Sequence, residues 1–88
     1  MFFLFLLISP KAEKQLLSLP KDIQEKILGK LKSLLDEGFS SSIDIKKLSG
    51  YSNHFRIRIG DYRIRMEFEK PDILKIYWIG KRSKAYKD

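Results

Sequence analysis

The 88-residue chain has no cysteine and a single histidine, His54. The first absence removes disulfide staples and thiolate chemistry. The two together leave no ligand set for a structural zinc site. No phosphate-loop, dinucleotide-binding or zinc signature is present. The longest apolar run, residues 1–8 (MFFLFLLI), stops at Ser9-Pro10, well short of the about 20 residues a membrane helix needs. It also lacks the basic n-region and small-residue cleavage site of a secretory leader. A strand covered on both faces is the expectation for it. One further absence is instructive: the first 45 residues contain no arginine.

All five arginines (Arg56, Arg58, Arg63, Arg65, Arg82) lie in the second half. Residues 1–45 carry six basic and six acidic side chains, whereas residues 46–88 carry twelve and five. The formal charge of +7 therefore belongs to one half of the chain. Such an excess favours nucleic acid, an anionic membrane surface or an acidic protein partner. Disorder is excluded by composition, since 43% of the residues are hydrophobic and 12% aromatic. The length fits one domain, residues 1–88.

The pattern along the chain predicts an α+β fold. Residues 2–8 form the first strand. Ser9 caps a short helix over 11–18, with Pro10 at its first position. Leu19-Pro20 interrupts it, because a residue before proline is pushed out of helical geometry. A second helix runs over 21–37, with Ile23, Ile27, Leu31, Leu34 and Leu35 as its buried stripe and Gly38 as its stop. The two form a helical hairpin. Residues 39–53 connect, with extended character at 43–48. A three-stranded antiparallel meander follows over 55–59, 62–69 and 73–79, turned at Gly60-Asp61 and Lys70-Pro71-Asp72. It completes a four-stranded sheet in a two-layer domain. The last strand is apolar on nearly both faces and should be central, with Trp78 in the core. Tyr77 is assigned to neither face.

Strand period then sorts the charges. Phe55, Ile57 and Ile59 share one face and Arg56 and Arg58 the other. Tyr62, Ile64, Met66 and Phe68 oppose Arg63, Arg65, Glu67 and Glu69. The apolar side must bury against the helices, which leaves an open arginine-bearing face. Two uses fit it: phosphate gripping by guanidinium forks, or an ordinary solvated face partly neutralised by Glu67, Glu69 and Asp61. Lys81, Arg82, Lys84 and Lys87 extend the charge into a basic tail. Tyr86 within that tail either pins it to the domain or meets a nucleotide. His54 reads as a surface residue and Asp61 as a turn residue.

The segments SPKAEKQLLSLPKDIQEKI, IKKLSGYSNHFRIRIGDYRIRMEFE and IYWIGKRSKAYK together resemble the RelE/ParE superfamily of toxins from type II toxin–antitoxin systems, on its RelE-like mRNA interferase branch. The resemblance covers nearly the whole chain and implies the same strand–helix–helix–strand–strand–strand order, the RelE-like fold. It implies a cytoplasmic, ribosome-dependent endoribonuclease, a hydrolase that enters the A site and cuts mRNA by 2′-hydroxyl attack without a metal or cofactor. It implies two partners, a cognate RelB-like antitoxin and a 70S-type ribosome carrying mRNA, and no membrane. By the same resemblance Arg56 and Arg58 match the family's basic pair on the second strand. Arg63 matches its arginine after the turn, Arg82 the one ending the last strand, and Tyr86 its near-terminal tyrosine. These five are the catalytic candidates. Arg65, Lys46, Lys47, Lys81, Lys84 and Lys87 are the candidates for RNA and ribosome contact. The basic pair is lysine in some members. Arginine stays protonated, so here the pair clamps charge and is no general base. Two alternatives accompany this reading: a ParE-like inhibitor of DNA gyrase, and a catalytically inactive basic module that binds RNA or antitoxin.

Overall fold

Ser9 begins the first helix as the Ser-Pro pair predicts. In the computed structural model, which describes residues 5–37, 44–48, 50 and 53–81, its backbone is extended and its Oγ accepts a hydrogen bond from the Ala12 N–H at 3.1 Å. Helix α1 spans Pro10–Leu17 with the proline in its first turn, where a missing N–H costs nothing. Helix α2 spans Lys21–Glu37. The Pro20 carbonyl starts it by accepting from the Ile23 and Gln24 N–H groups, each at 3.0 Å. Gln24 Nε2 reaches back to the Leu19 carbonyl at 2.8 Å and fixes the corner. Ile27, Leu31 and Leu34 are buried, with Ile23 and Leu35 half-buried beside them. Gly38, the expected stop, lies outside the described residues.

The sheet has five strands rather than four: β1 (Phe5–Ile8), β2 (Asp44–Lys47), β3 (His54–Ile59), β4 (Tyr62–Glu69) and β5 (Ile73–Lys81), in the order β1-β5-β4-β3-β2. β1 runs parallel to β5, and all other pairs are antiparallel. The additional strand is the segment expected only to be extended. Asp44-Ile45-Lys46-Lys47 offers one apolar residue and no alternation. It is a strand because it satisfies the backbone groups along the open edge of β3.

β1 corrects a second expectation. It lies at the other edge of the sheet, and it is not covered on both faces. Leu6 and Ile8 are half-buried toward the helices, whereas Phe5 and Leu7 are 59% and 52% exposed on the opposite side.

The core is the layer between helices and sheet. Ala12 and Leu16 of α1 and the three buried residues of α2 meet Ile57 and Ile59 of β3, Ile64 and Met66 of β4, and Leu74, Ile76 and Ile79 of β5. Gln15 ties α1 to the sheet: its Oε1 accepts from the Ile79 N–H at 2.8 Å, beyond the end of β1.

β5 is central as expected, but its phase breaks. Met66 pairs with Ile76 and Arg65 with Trp78, so Tyr77 is an extra residue in the ladder. A bulge of this kind turns two consecutive side chains to one side. Leu74, Ile76 and Ile79 stay in the core, and both Tyr77 and Trp78 face away from the helices.

Candidate nucleic-acid interface

The face of the sheet away from the helices is built in rows, one residue per strand. Strand register sets the first row as Asp44, Arg58, Arg63 and Gly80, and the second as Lys46, Arg56, Arg65 and Trp78. The third contains His54, Glu67 and Lys75, with Leu7 beyond on β1. Two pairs of arginines thus stand directly opposite each other. Directly opposed like charges on neighbouring strands destabilise a sheet. A bound polyanion relieves that repulsion.

The hairpin that sets this register is tight. Gly60-Asp61 joins β3 to β4, and Gly60 has φ of 58° while no non-glycine described residue has a positive φ. A turn with left-handed geometry only at its first central position suits glycine there, and its twist matches the flanking strands.

Arg63 departs from the open face expected of it. It is only 2% exposed. Its Nη1 donates to the carbonyls of Gly60 at 3.0 Å and Tyr62 at 2.9 Å. The turn it follows folds the guanidinium back onto its own backbone, so the group is held in place before any ligand arrives. Arg58 is exposed, and Arg56 and Arg65 are half-buried.

Trp78, expected in the core, lies instead beside these arginines. The Arg65 guanidinium sits over the indole, 5.8 Å from the ring centroid. On the other side the ring lies against Gly80: a Cβ built there would be 2.7 Å from the indole Cη2 and Cζ2 atoms. Glycine at 80 is therefore what lets the ring lie along the strand toward the Arg58–Arg63 row. The contact is a cation–π arrangement that braces Arg65.

The third row is richer than the sequence suggested. His54 Nδ1 lies 3.1 Å from the Tyr77 hydroxyl, and the two rings meet edge-on with centroids 5.5 Å apart. Asn53 Nδ2 donates to Glu67 Oε2 at 3.1 Å and to the Phe68 carbonyl at 3.2 Å. Glu69 pairs with Lys75 at 2.9 Å. That hydrogen bond, with the charges of Glu69 and Glu67, raises the Lys75 amine above its ordinary value of 10.5. The two glutamates expected to neutralise the arginines are instead engaged by Asn53 and Lys75, in the rows beyond the arginine pairs.

The lysines divide. Lys46 joins the Arg56 row, whereas Lys47 pairs with Phe55 and Lys81 with Tyr62, which assigns both to the helix side of the sheet. Arg82, Lys84, Tyr86 and Lys87 lie outside the described residues. Among the described residues no group of three or more His, Asp or Glu side chains forms a metal site, and no helix is long and apolar enough to cross a membrane.

A family model described as the ParE toxin of type II toxin–antitoxin systems, parDE, matches residues 6–86. The chain belongs to the RelE/ParE superfamily of toxins. Among curated relatives of this superfamily, Toxin RelE3 of Methanocaldococcus jannaschii is 36% identical over 60 residues, covering 61% of this chain and 68% of the relative. The toxin fold also matches a RelB–RelE antitoxin–toxin complex from Methanococcus jannaschii with a TM-score of 0.79 and 28% identity, over 92% of this chain and 95% of that one. An archaeal RelE–RelB complex from Pyrococcus horikoshii OT3 matches with a TM-score of 0.77 and 28% identity, over 96% and 99%. The α+β order of strand, two helices and mixed sheet is the RelE-like topology of these toxins.

His54, Tyr77, Trp78 and Gly80 are among the members of the toxin's face that sequence reasoning did not assign to it. His54 shares the parity of Arg56 and Arg58, and Tyr77 that of Lys75, whereas Trp78 and Gly80 reach the face only through the bulge.

Proposed function

We propose that this chain is the toxin of a type II module that cleaves mRNA in the ribosomal A site, as a metal-independent endoribonuclease acting in the cytoplasm. The observation that carries the reading is the register: Arg56 opposite Arg65 and Arg58 opposite Arg63 form a compact cationic patch on one sheet face. Its likeness to RelE toxins, over nearly the whole chain, supports the choice of RNA as the polyanion.

In the proposed reaction the 2′-oxygen attacks the adjacent phosphorus and the bond from phosphorus to the 5′-oxygen breaks. A 2′,3′-cyclic phosphate and a 5′-hydroxyl result. The 2′-hydroxyl proton leaves to an acceptor, and the departing 5′-oxygen takes one up. Arg63 and Arg82 stabilise the charge that builds on the pentacovalent phosphorus. Arg63 is fixed in advance by the turn carbonyls, and at 2% exposed it meets the phosphate only once its surroundings open. Arg56 and Arg58 clamp the strand, and Tyr86 positions the substrate. Arg65 and Lys46 continue the patch toward RNA, with Lys47, Lys81, Lys84 and Lys87 contributing charge for ribosome docking. The ribosome supplies orientation that a small flat face does not. The second partner is a RelB-like antitoxin, by analogy with the two archaeal relatives solved with RelB.

A second reading rests on the name of the matching family model, which is that of ParE: a toxin directed at DNA gyrase. One experiment separates them. Cleavage is mapped in a translating extract with wild type and Arg82→Ala, while supercoiling is followed in parallel. A-site cuts that the substitution abolishes support the interferase. Equal cleavage by both proteins, or loss of supercoiling with mRNA intact, overturns it. Neither effect points to an inactive binding module.

A further inference from the structure

β1 is a sheet edge built without charge. Residues 1–9 carry no charged side chain, in a chain where 33% of residues are charged. Edge strands are ordinarily blunted by charge. The β2 edge, with Asp44, Lys46 and Lys47, follows that rule, and β1 does not. Among the described residues no strand lies beyond β1, and Phe5 and Leu7 stand exposed on the open face. The Phe5 and Ser9 N–H groups donate inward to the Asp72 and Ile76 carbonyls at 2.8 and 2.9 Å. By alternation the backbone groups of Leu6 and Ile8 point at the free edge. Beside this edge, on the open face, lies a cavity of about 340 Å³ lined by Ser9, His54, Glu67, Lys75, Ile76 and Tyr77. Its lining is almost wholly apolar. The Lys75 amine is held by Glu69 and the Glu67 carboxylate by Asn53.

We infer that β1 is a self-docking edge, on which a second copy of this chain adds its own β1 antiparallel, with the two-fold axis at Leu7. Leu6 then faces Ile8 of the second copy, and Ile8 faces its Leu6. The outward backbone groups of these two pairs exchange four hydrogen bonds. A register that pairs an even with an odd residue leaves them unmatched and crosses the faces. Leu7 meets Leu7 across the axis, and Phe5 comes opposite Ser9. That last pair supplies an occupant for the cavity. Within one chain Phe5 stands four residues before Ser9, about 13 Å along the strand, too far to enter. The antiparallel copy brings a second Phe5 into the Ser9 row, where its ring leans over Ser9 toward Tyr77 and His54. Ring-on-ring packing suits an aromatic occupant. Knob and hole belong to the same chain, so each copy gives one and receives one, an isologous contact. Net charge does not oppose it. The arginine pairs begin on β4, so about 24 Å, or five strand spacings, separates those of the two copies, beyond the screening length of about 8 Å at physiological salt. An acidic strand finds its counter-charges on the arginine rows and none on this edge. The edge is short, so the association belongs to the weak class, below about 1,200 Å².

Sedimentation and ¹⁵N spectra of the full chain test this over about 10 μM to 1 mM, the span of affinities a small interface gives. The mass should rise from 10.4 kDa toward twice that value, with concentration-dependent amide shifts at Leu6, Leu7 and Ile8 and at His54 and Tyr77. In a half-labelled mixture, isotope-filtered NOEs should link the Phe5 ring of one copy to Tyr77 of the other. Leu7→Lys sets two like charges on the axis and should hold the protein monomeric. Leu7 is exposed, so the melt of this variant at low concentration should match wild type. Phe5→Ala should weaken association about tenfold and remove the His54 and Tyr77 shifts while those of β1 persist. A mass of one chain at every concentration, self-association unchanged in Leu7→Lys, or NOEs from another surface overturns the inference. If the β1 amides move only when a RelB-like antitoxin is added, the edge belongs to that partner and the inference falls.

Discussion

Arg56 stands directly opposite Arg65 across the β3–β4 ladder, and Arg65 is braced from the far side by the Trp78 indole. Strand register thus brings two arginines face to face against the repulsion of their like charges. The fold keeps this arrangement at a cost.

That cost is measurable. Arg56→Gln should raise the stability of the isolated protein by about 0.5 kcal/mol, the scale of a cross-strand charge pair, and it should weaken binding to single-stranded RNA. Denaturant melts at low salt read the first effect. The slope of log affinity against log salt reads the second, and it should become shallower. A variant that is both less stable and unaltered in salt dependence would remove the patch from the function.

Arg63 and Arg58 should behave differently, although they face each other. Arg63 is buried with two backbone carbonyls as acceptors, so Arg63→Ala should cost about 2–3 kcal/mol by leaving those acceptors in want of donors. Arg63→Lys should not restore the fork geometry. Arg58 is exposed, and Arg58→Ala should stay within about 0.5 kcal/mol. Thermal melts of the three variants test this. Loss of toxicity in Arg63→Ala must be read beside its melt, whereas loss in Arg58→Ala reports on function directly.

Gly80→Ala should push the indole off the sheet, because the new methyl would sit 2.7 Å from two ring carbons. Overpacking of this kind costs about 1–3 kcal/mol. The single tryptophan makes the event visible: its emission should shift to the red as the ring leaves Arg65. Wild-type emission in a folded variant would show that the ring has room elsewhere.

The Lys75–Glu69 pair gives a pH signature. The folded-state amine is raised above the ordinary value of 10.5 by the Glu69 hydrogen bond and charge. Its contribution is therefore fully present below the unfolded value and disappears as pH rises through the raised folded value. Glu69→Gln should lower the titration midpoint of the Lys75 side chain by NMR. Stability at neutral pH should barely change, because the pair is exposed to solvent.

What the sequence disclosed and what it hid follow from which signals are local. HFRIRI and YRIRMEFE each bury one face, so their alternation shows both the strands and the charged side. Ser9-Pro10 and Leu19-Pro20 mark helix starts through backbone chemistry that needs no tertiary context. β2 is different: DIKK has a single apolar residue, and only the open edge of β3 makes it a strand. The run ILKIYWI is apolar throughout, so its pattern cannot disclose where a bulge resets the phase, and Trp78 was assigned to the wrong side for that reason. The burial of Arg63 depends on where the turn aims its carbonyls, which residue types do not encode.

The pairing of β1 with β5 has a consequence for when this toxin can exist. The first described strand finds its partner in the last described one, so the sheet closes only after β5 has left the ribosome that makes it. Before that, both rows lack their β5 members, Trp78 and Gly80, and Arg65 lacks its brace. The arginine face is thus a late product of folding: it is complete only when the strand that bears Trp78 and Gly80 has joined the sheet.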